Sequence, residues 1–127
     1  MRRPSQVLTG QELEIMKVVW DLGKATVRDV YQELLKRRKV AYTTVMTMMN
    51  ILEQKKYLKK RENERAYLYT PVQSKHKVVS NMVREFIDRV FSGSAEPLLV
   101  HLMEDRHVSE DDLRETAALR RKRHDTK

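Results

Sequence analysis

Apolar residues recur at helical spacing along almost the whole of this chain and change period once, between Leu58 and Thr70. A period near 3.6 buries one face of a helix, and a period of two buries one face of a strand. The pattern therefore calls for a helical protein carrying a single hairpin. Only 3 Gly and 3 Pro occur in 127 residues, too few turn formers for a sandwich or barrel. The 40% hydrophobic share argues against disorder. There is no Cys, which excludes a disulfide scaffold, a thiolate metal site, an iron–sulfur cluster and a Cys nucleophile. No apolar run is long enough to span a membrane. Met1-Arg2-Arg3-Pro4 leads into polar residues rather than an apolar signal core, so a cytoplasmic address is expected.

Thr9-Gly10-Gln11-Glu12 has the capping-box pattern that opens a helix. Leu13, Met16, Val19 and Trp20 follow as its apolar face, and Gly23 ends it. Thr26 to Asp29 is a second cap, ahead of Val27, Val30, Tyr31, Leu34 and Leu35. A third helix begins near Tyr42, with Val45, Met48, Met49 and Leu52 facing inward and Met46 outward. Leu58 to Glu62 and Arg65 to Thr70 then read as two strands, with Asn63-Glu64 at the tip and Pro71 as the stop. Three short helices and a basic hairpin make a winged helix-turn-helix. The fold class is thus mainly α: a winged helix over 1–72 and a helical dimerisation domain over 73–127. In the second part Val78, Val79, Met82, Val83, Phe86, Ile87, Val90 and Phe91 form a stripe broader than one partner helix needs. Leu98, Leu99, Leu102 and Met103 mark a short helix after Ser92-Gly93. Ser109 to Asp112 caps a last one that frays at Arg120 to Arg123.

The net charge of +8 is unevenly placed. Residues 1–72 hold 15 basic and 8 acidic side chains, a net +7, which leaves +1 for the rest. A basic half beside a near-neutral half points to a polyanionic partner. The simpler alternative is a basic surface that serves solubility alone.

Catalysis finds no support. His76, His101, His107 and His124 share no metal-ligand spacing, and no phosphate loop or nucleophile elbow occurs. No metal or other cofactor is expected. A helix that enters the major groove should offer hydroxyls or small apolar groups near its N-terminus. Tyr42, Thr43, Thr44 and Thr47 meet that demand as base-reading candidates, unless a Thr merely caps the helix. Three β-branched Thr in five positions are otherwise unfavourable in a helix. Lys55, Lys59, Lys60, Arg61 and Arg65 are candidates for the DNA backbone, where contacts add affinity without sequence choice. Val79, Met82, Val83, Phe86, Ile87, Val90, Leu98, Leu99 and Leu102 are the dimerisation candidates. A two-fold dimer would set two reading heads one helical turn apart on a palindromic operator. The competing reading is a basic interaction module for RNA or an acidic protein, with Tyr67 and Tyr69 as stacking rings.

AYTTVMTMMNILEQKKYL followed by RAYLYTP resembles the BlaI/MecI penicillinase-repressor family. LTGQELEIMKVVW, TVRDVYQEL, FSGSAEPLLVHLMED and SEDDLRET extend the resemblance from about Leu8 to Leu119. It implies a homodimeric repressor that binds double-stranded dyad operators ahead of β-lactamase or other resistance and stress genes. It also implies base reading by Thr43, Thr44 and Thr47, with the wing from Arg61 to Arg65 on the backbone. Staphylococcal members are released by a sensor protease that cuts an Asn-Phe bond in the dimerisation domain. Here His101-Leu102 stands at that position, a departure from the pattern. A copper-responsive branch uses a C-terminal cysteine motif that this chain lacks.

Overall fold

Helix α1 spans Gly10–Leu22, α2 Val27–Leu35 and α3 Tyr42–Gln54; strands β1 (Leu58–Asn63) and β2 (Ala66–Pro71) follow, then α4 (Lys75–Phe91), α5 (Glu96–Asp105) and α6 (Glu110–Asp125). The computed structural model describes residues 7–105 and 108–125, with side chains through Arg121. Met1 to Pro4, His107 and the side chain of His124 lie outside the described residues. The chain forms two compact units that divide between Val79 and Ser80, so the first turn of α4, with buried Val78, goes with the winged helix.

The capping boxes form as their spacing predicts. Thr9 Oγ1 accepts from the Glu12 amide at 3.1 Å, and Glu12 Oε1 accepts from the Thr9 amide at 2.9 Å. Thr26 and Asp29 repeat this at the start of α2, and Ser109 and Asp112 at the start of α6. Gly23, at φ 84°, closes α1. Helix α1 packs on α2, α3 and β2, so its inward face is centred differently from the expected stripe. Ile15, Met16, Val18 and Val19 are buried, while Leu13 and Trp20 are only half-buried. Trp20 instead donates from Nε1 to the Gln73 carbonyl at 3.0 Å. In α2, Val30 and Leu34 are buried and Leu35 is exposed. In α3, Val45, Met49 and Leu52 reach the core, and Met48 reaches it halfway.

Glu12 is 4% exposed, the one buried charged residue among those described. Lys55 Nζ donates to both of its carboxylate oxygens, at 2.8 and 3.0 Å, and to the Val7 carbonyl at 3.1 Å. This corrects the expectation that Lys55 meets the DNA backbone. Its three donors are all engaged, and a buried carboxylate needs its cation.

Strands β1 and β2 pair antiparallel from Leu58↔Pro71 to Asn63↔Ala66. The tip therefore falls at Glu64-Arg65, one residue later than the sequence reading, with Glu64 at φ 56°. A one-residue bridge ties the wing to the α1–α2 loop: Ala25 and Tyr69 exchange backbone hydrogen bonds of 2.9 and 2.8 Å. Tyr69 is 2% exposed, and its hydroxyl donates to Asn50 Oδ1 at 2.8 Å.

In the second unit α4 stops at Ser92-Gly93, with φ of 54° and 87°. The Phe91 ring meets those of Phe86 and His101, with centroids 5.9 and 5.8 Å away. Helix α6 continues through Arg120–Arg123 to Asp125, where a frayed tail was expected. No Gly or Pro interrupts that run, and cations suit a helix C-terminus.

Lys55→Met, which leaves Glu12 buried without its cation, should lower stability by roughly 3–5 kcal/mol in urea unfolding. Adding Glu12→Gln should recover part of that loss. Burial holds the Tyr69 phenol above its ordinary value near 10, with Glu53 adding to the shift. The folded chain thus keeps this proton to higher pH than the unfolded chain. Its contribution is complete below about pH 10 and is lost as pH rises through the folded value. Tyr69→Phe should cost about 0.5–1.5 kcal/mol at neutral pH. It should also flatten the alkaline fall in melting temperature.

Candidate nucleic-acid interface

Helix α3 presents three faces. Val45, Met49 and Leu52 anchor one in the core. Thr43, Thr44 and Thr47, all exposed, share a second. Tyr42, Met46 and Asn50, four residues apart, share a third. The helix is capped by Ala41, which has no side-chain acceptor. Thr43 and Thr44 lie inside the first turn and cap nothing. The threonine hydroxyls take part in no hydrogen bond among the described residues. Each remains free to donate and to accept, with a methyl alongside, the equipment for reading base edges. Tyr42 is held by an edge-on contact with Tyr31, at a centroid separation of 5.4 Å.

Lys59, Lys60, Arg61 and Arg65 are exposed on the wing. Lys59 and Arg61 lie on one face of β1, and Lys60 lies on the other. Lys60 Nζ donates to Asn50 Oδ1 at 3.3 Å and sits 4.7 Å from the centre of the Tyr67 ring. Arg65 stands at the tip. Tyr67 is exposed and Tyr69 is buried, so the wing offers one ring and not a stacking platform. Helix and wing thus bring together every sequence-predicted DNA residue except Lys55.

Between α2, α3 and the wing lies an open cleft of about 560 Å³. Two of its residues, Arg28 and Asn50, were missed in the sequence reading. Arg28 left a signal: a cation in the first turn of a helix opposes the dipole and gains nothing locally. Asn50 left one in its spacing from Tyr42 and Met46. The basic run after α2 is partly neutralised. Lys36 pairs with Glu33 at 2.8 Å, and Arg38 pairs with Glu14 at 2.7 Å. The Arg38 hydrogen bond holds the Glu14 carboxyl below the usual range.

In the second unit none of the described residues beyond Val79 is buried. Val83, Phe86, Val90 and Leu99 are exposed; Met82, Ile87, Leu98 and Leu102 are half-buried, as is Val79 in the first unit. His101 and Leu102 lie inside α5, where His101 Nδ1 is 3.2 Å from Asp105 Oδ2. Among the described residues no three His, Cys, Asp or Glu gather as a metal site. No described helix is long and apolar enough to cross a membrane.

The family model for the penicillinase repressor matches residues 8–121. Transcriptional regulator BlaI of Mycobacterium tuberculosis is 36% identical over 103 residues, which cover 80% of this chain and 75% of that protein. The penicillinase repressor of Bacillus licheniformis is 25% identical over 108 residues, covering 85% of this chain and 84% of its own. The solution structure of the DNA-binding domain of the repressor BlaI superposes with a TM-score of 0.51 at 31% identity. It covers 59% of this chain and 90% of that one. With a family match along nearly its full length and a winged helix like that domain, the chain belongs to the penicillinase repressor family.

Proposed function

We propose that this protein, a DNA-binding transcriptional repressor, acts in the cytoplasm as a homodimer on a two-fold symmetric operator. The observation that carries the reading is the free threonine face of α3 beside an exposed basic wing. Thr43, Thr44 and Thr47 read base edges in the major groove, with Tyr42 at the groove edge. Lys59, Lys60, Arg61 and Arg65 hold the backbone, which adds salt-dependent affinity for any sequence. The genes controlled are those of β-lactamase or of related resistance and stress responses, by likeness to the relatives' names.

The dimer rests on the second unit. Beyond Val79 none of the described residues of α4 to α6 is buried; along the stripe Val83, Phe86, Val90 and Leu99 face water, and Val79, Met82, Ile87, Leu98 and Leu102 are half-buried. Such a surface is suited to a second copy. The copies then place two winged helices on half-sites about 34–36 Å apart. If a sensor protease releases the repressor at His101-Leu102, α5 must first unwind, because the bond lies within that helix.

Gel shifts and footprinting with the upstream region of the chain's own gene should give a two-fold symmetric footprint; no binding to duplex DNA at low salt overturns the reading. Thr47→Ala should relax preference at one base pair per half-site by roughly 1–3 kcal/mol. Arg61→Ala should weaken all sequences alike and lower the salt dependence by about one ion. Sedimentation of the full chain should give a dimer, and Phe86→Glu with Val90→Glu a folded monomer. A wild-type chain that sediments as a monomer removes the dimer.

A further inference from the structure

We propose that the cleft between α2, α3 and the wing is a binding site for a small aromatic carboxylate, and that this ligand and duplex DNA exclude one another. The exclusion rests on the DNA-binding reading above; the site itself does not. The cleft, about 560 Å³, has the size of a small-ligand pocket. Arg28 lines one side, Tyr42, Met46 and Asn50 of α3 a second, and Arg65 and Tyr67 of the wing a third. No Asp or Glu lines it, although acidic residues are common in the chain.

Three observations fix the chemistry of the occupant. First, Arg28 and Arg65 have no ion-pair or hydrogen-bond partner among the described residues, whereas Lys36, Arg38 and Lys55 each hold a carboxylate. A free guanidinium at a cleft wall grips a planar carboxylate through two parallel hydrogen bonds. Second, Asn50 is oriented by its neighbours. Its Oδ1 accepts from Tyr69 and Lys60, which leaves Nδ2 as an unused donor beside the cleft. Third, Tyr42 and Tyr67 are 43% and 48% exposed, and Met46 is 40% exposed. Two rings and a thioether suit the flat face of an aromatic group. A bare phosphate would engage the cations and leave these three idle. Tyr42, Met46 and Asn50 belong to α3, and Arg65 and Tyr67 to the wing. A ligand here fills the space between the two elements that meet DNA.

The test uses the full chain without DNA, titrated with 2-naphthoate, its uncharged analogue 2-naphthamide, and inorganic phosphate. Amide and side-chain NMR shifts report binding, and circular dichroism confirms that each variant is folded. The expected result is saturable binding of 2-naphthoate at Tyr42, Asn50 and Tyr67, about tenfold weaker for the amide. Arg28→Gln should weaken 2-naphthoate about tenfold. Met46→Trp, which fills the cleft, should abolish binding. Absence of saturation overturns the site. It is also overturned if phosphate binds as well as 2-naphthoate and Met46→Trp changes neither, because the cleft then serves the DNA backbone alone. A second arm measures duplex binding at rising 2-naphthoate. The apparent Kd should rise in step with occupancy, and an unchanged Kd at saturating ligand overturns the exclusion. If 2-naphthoate binds and no duplex does, the site stands and the DNA reading falls.

Discussion

Tyr69 holds the reading head in one shape. Its backbone pairs with Ala25 on one side and belongs to the wing ladder on the other. Its ring lies in the core, and its hydroxyl ends on Asn50 of α3. An isolated two-stranded hairpin is marginal in water. Here it is fastened to the α1–α2 loop by main-chain hydrogen bonds and to α3 by a side chain. The angle between wing and helix, which decides whether both can meet one duplex, therefore depends on a buried phenol. The same contact orients the Asn50 amide and draws Lys60 against α3.

Cations in the first unit divide into two populations. Lys36, Arg38 and Lys55 are matched to carboxylates; Lys55 serves a buried one, and the pair holds α1 against α3. Others hold no carboxylate among the described residues, and of these Lys59, Arg61, Arg65 and Arg28 lie on the wing or the cleft wall. Charge counting cannot separate the two. Both contribute equally to the +7 of residues 1–72, yet the unmatched cations are the ones at liberty to meet phosphates.

The second unit obeys a different constraint. A helix hydrophobic over a wide stripe needs more than one neighbour. Beyond Val79 no described residue of α4, α5 or α6 is buried, and much of that stripe is exposed or half-exposed. The apolar pattern from Met82 to Leu102 is thus largely a surface of its own unit.

Much of this was legible in the residues. The capping boxes at Thr9, Thr26 and Ser109, the change of period at Leu58 and the threonines of α3 are local signals, and local hydrogen bonding and side-chain periodicity decide them. The centring of the α1 face on Ile15, the hairpin tip at Glu64-Arg65 and the continuation of α6 depended on packing, register and helix propagation. Sequence alone determined a winged helix with a basic reading head, because periodicity and capping act within a few residues. Tertiary structure alone decided that Lys55 serves Glu12, that Tyr69 joins the wing to Asn50, and that Arg28 stands at a cleft. Lys55 and Glu12 lie 43 positions apart, and no local rule specifies which distant charge a side chain will meet.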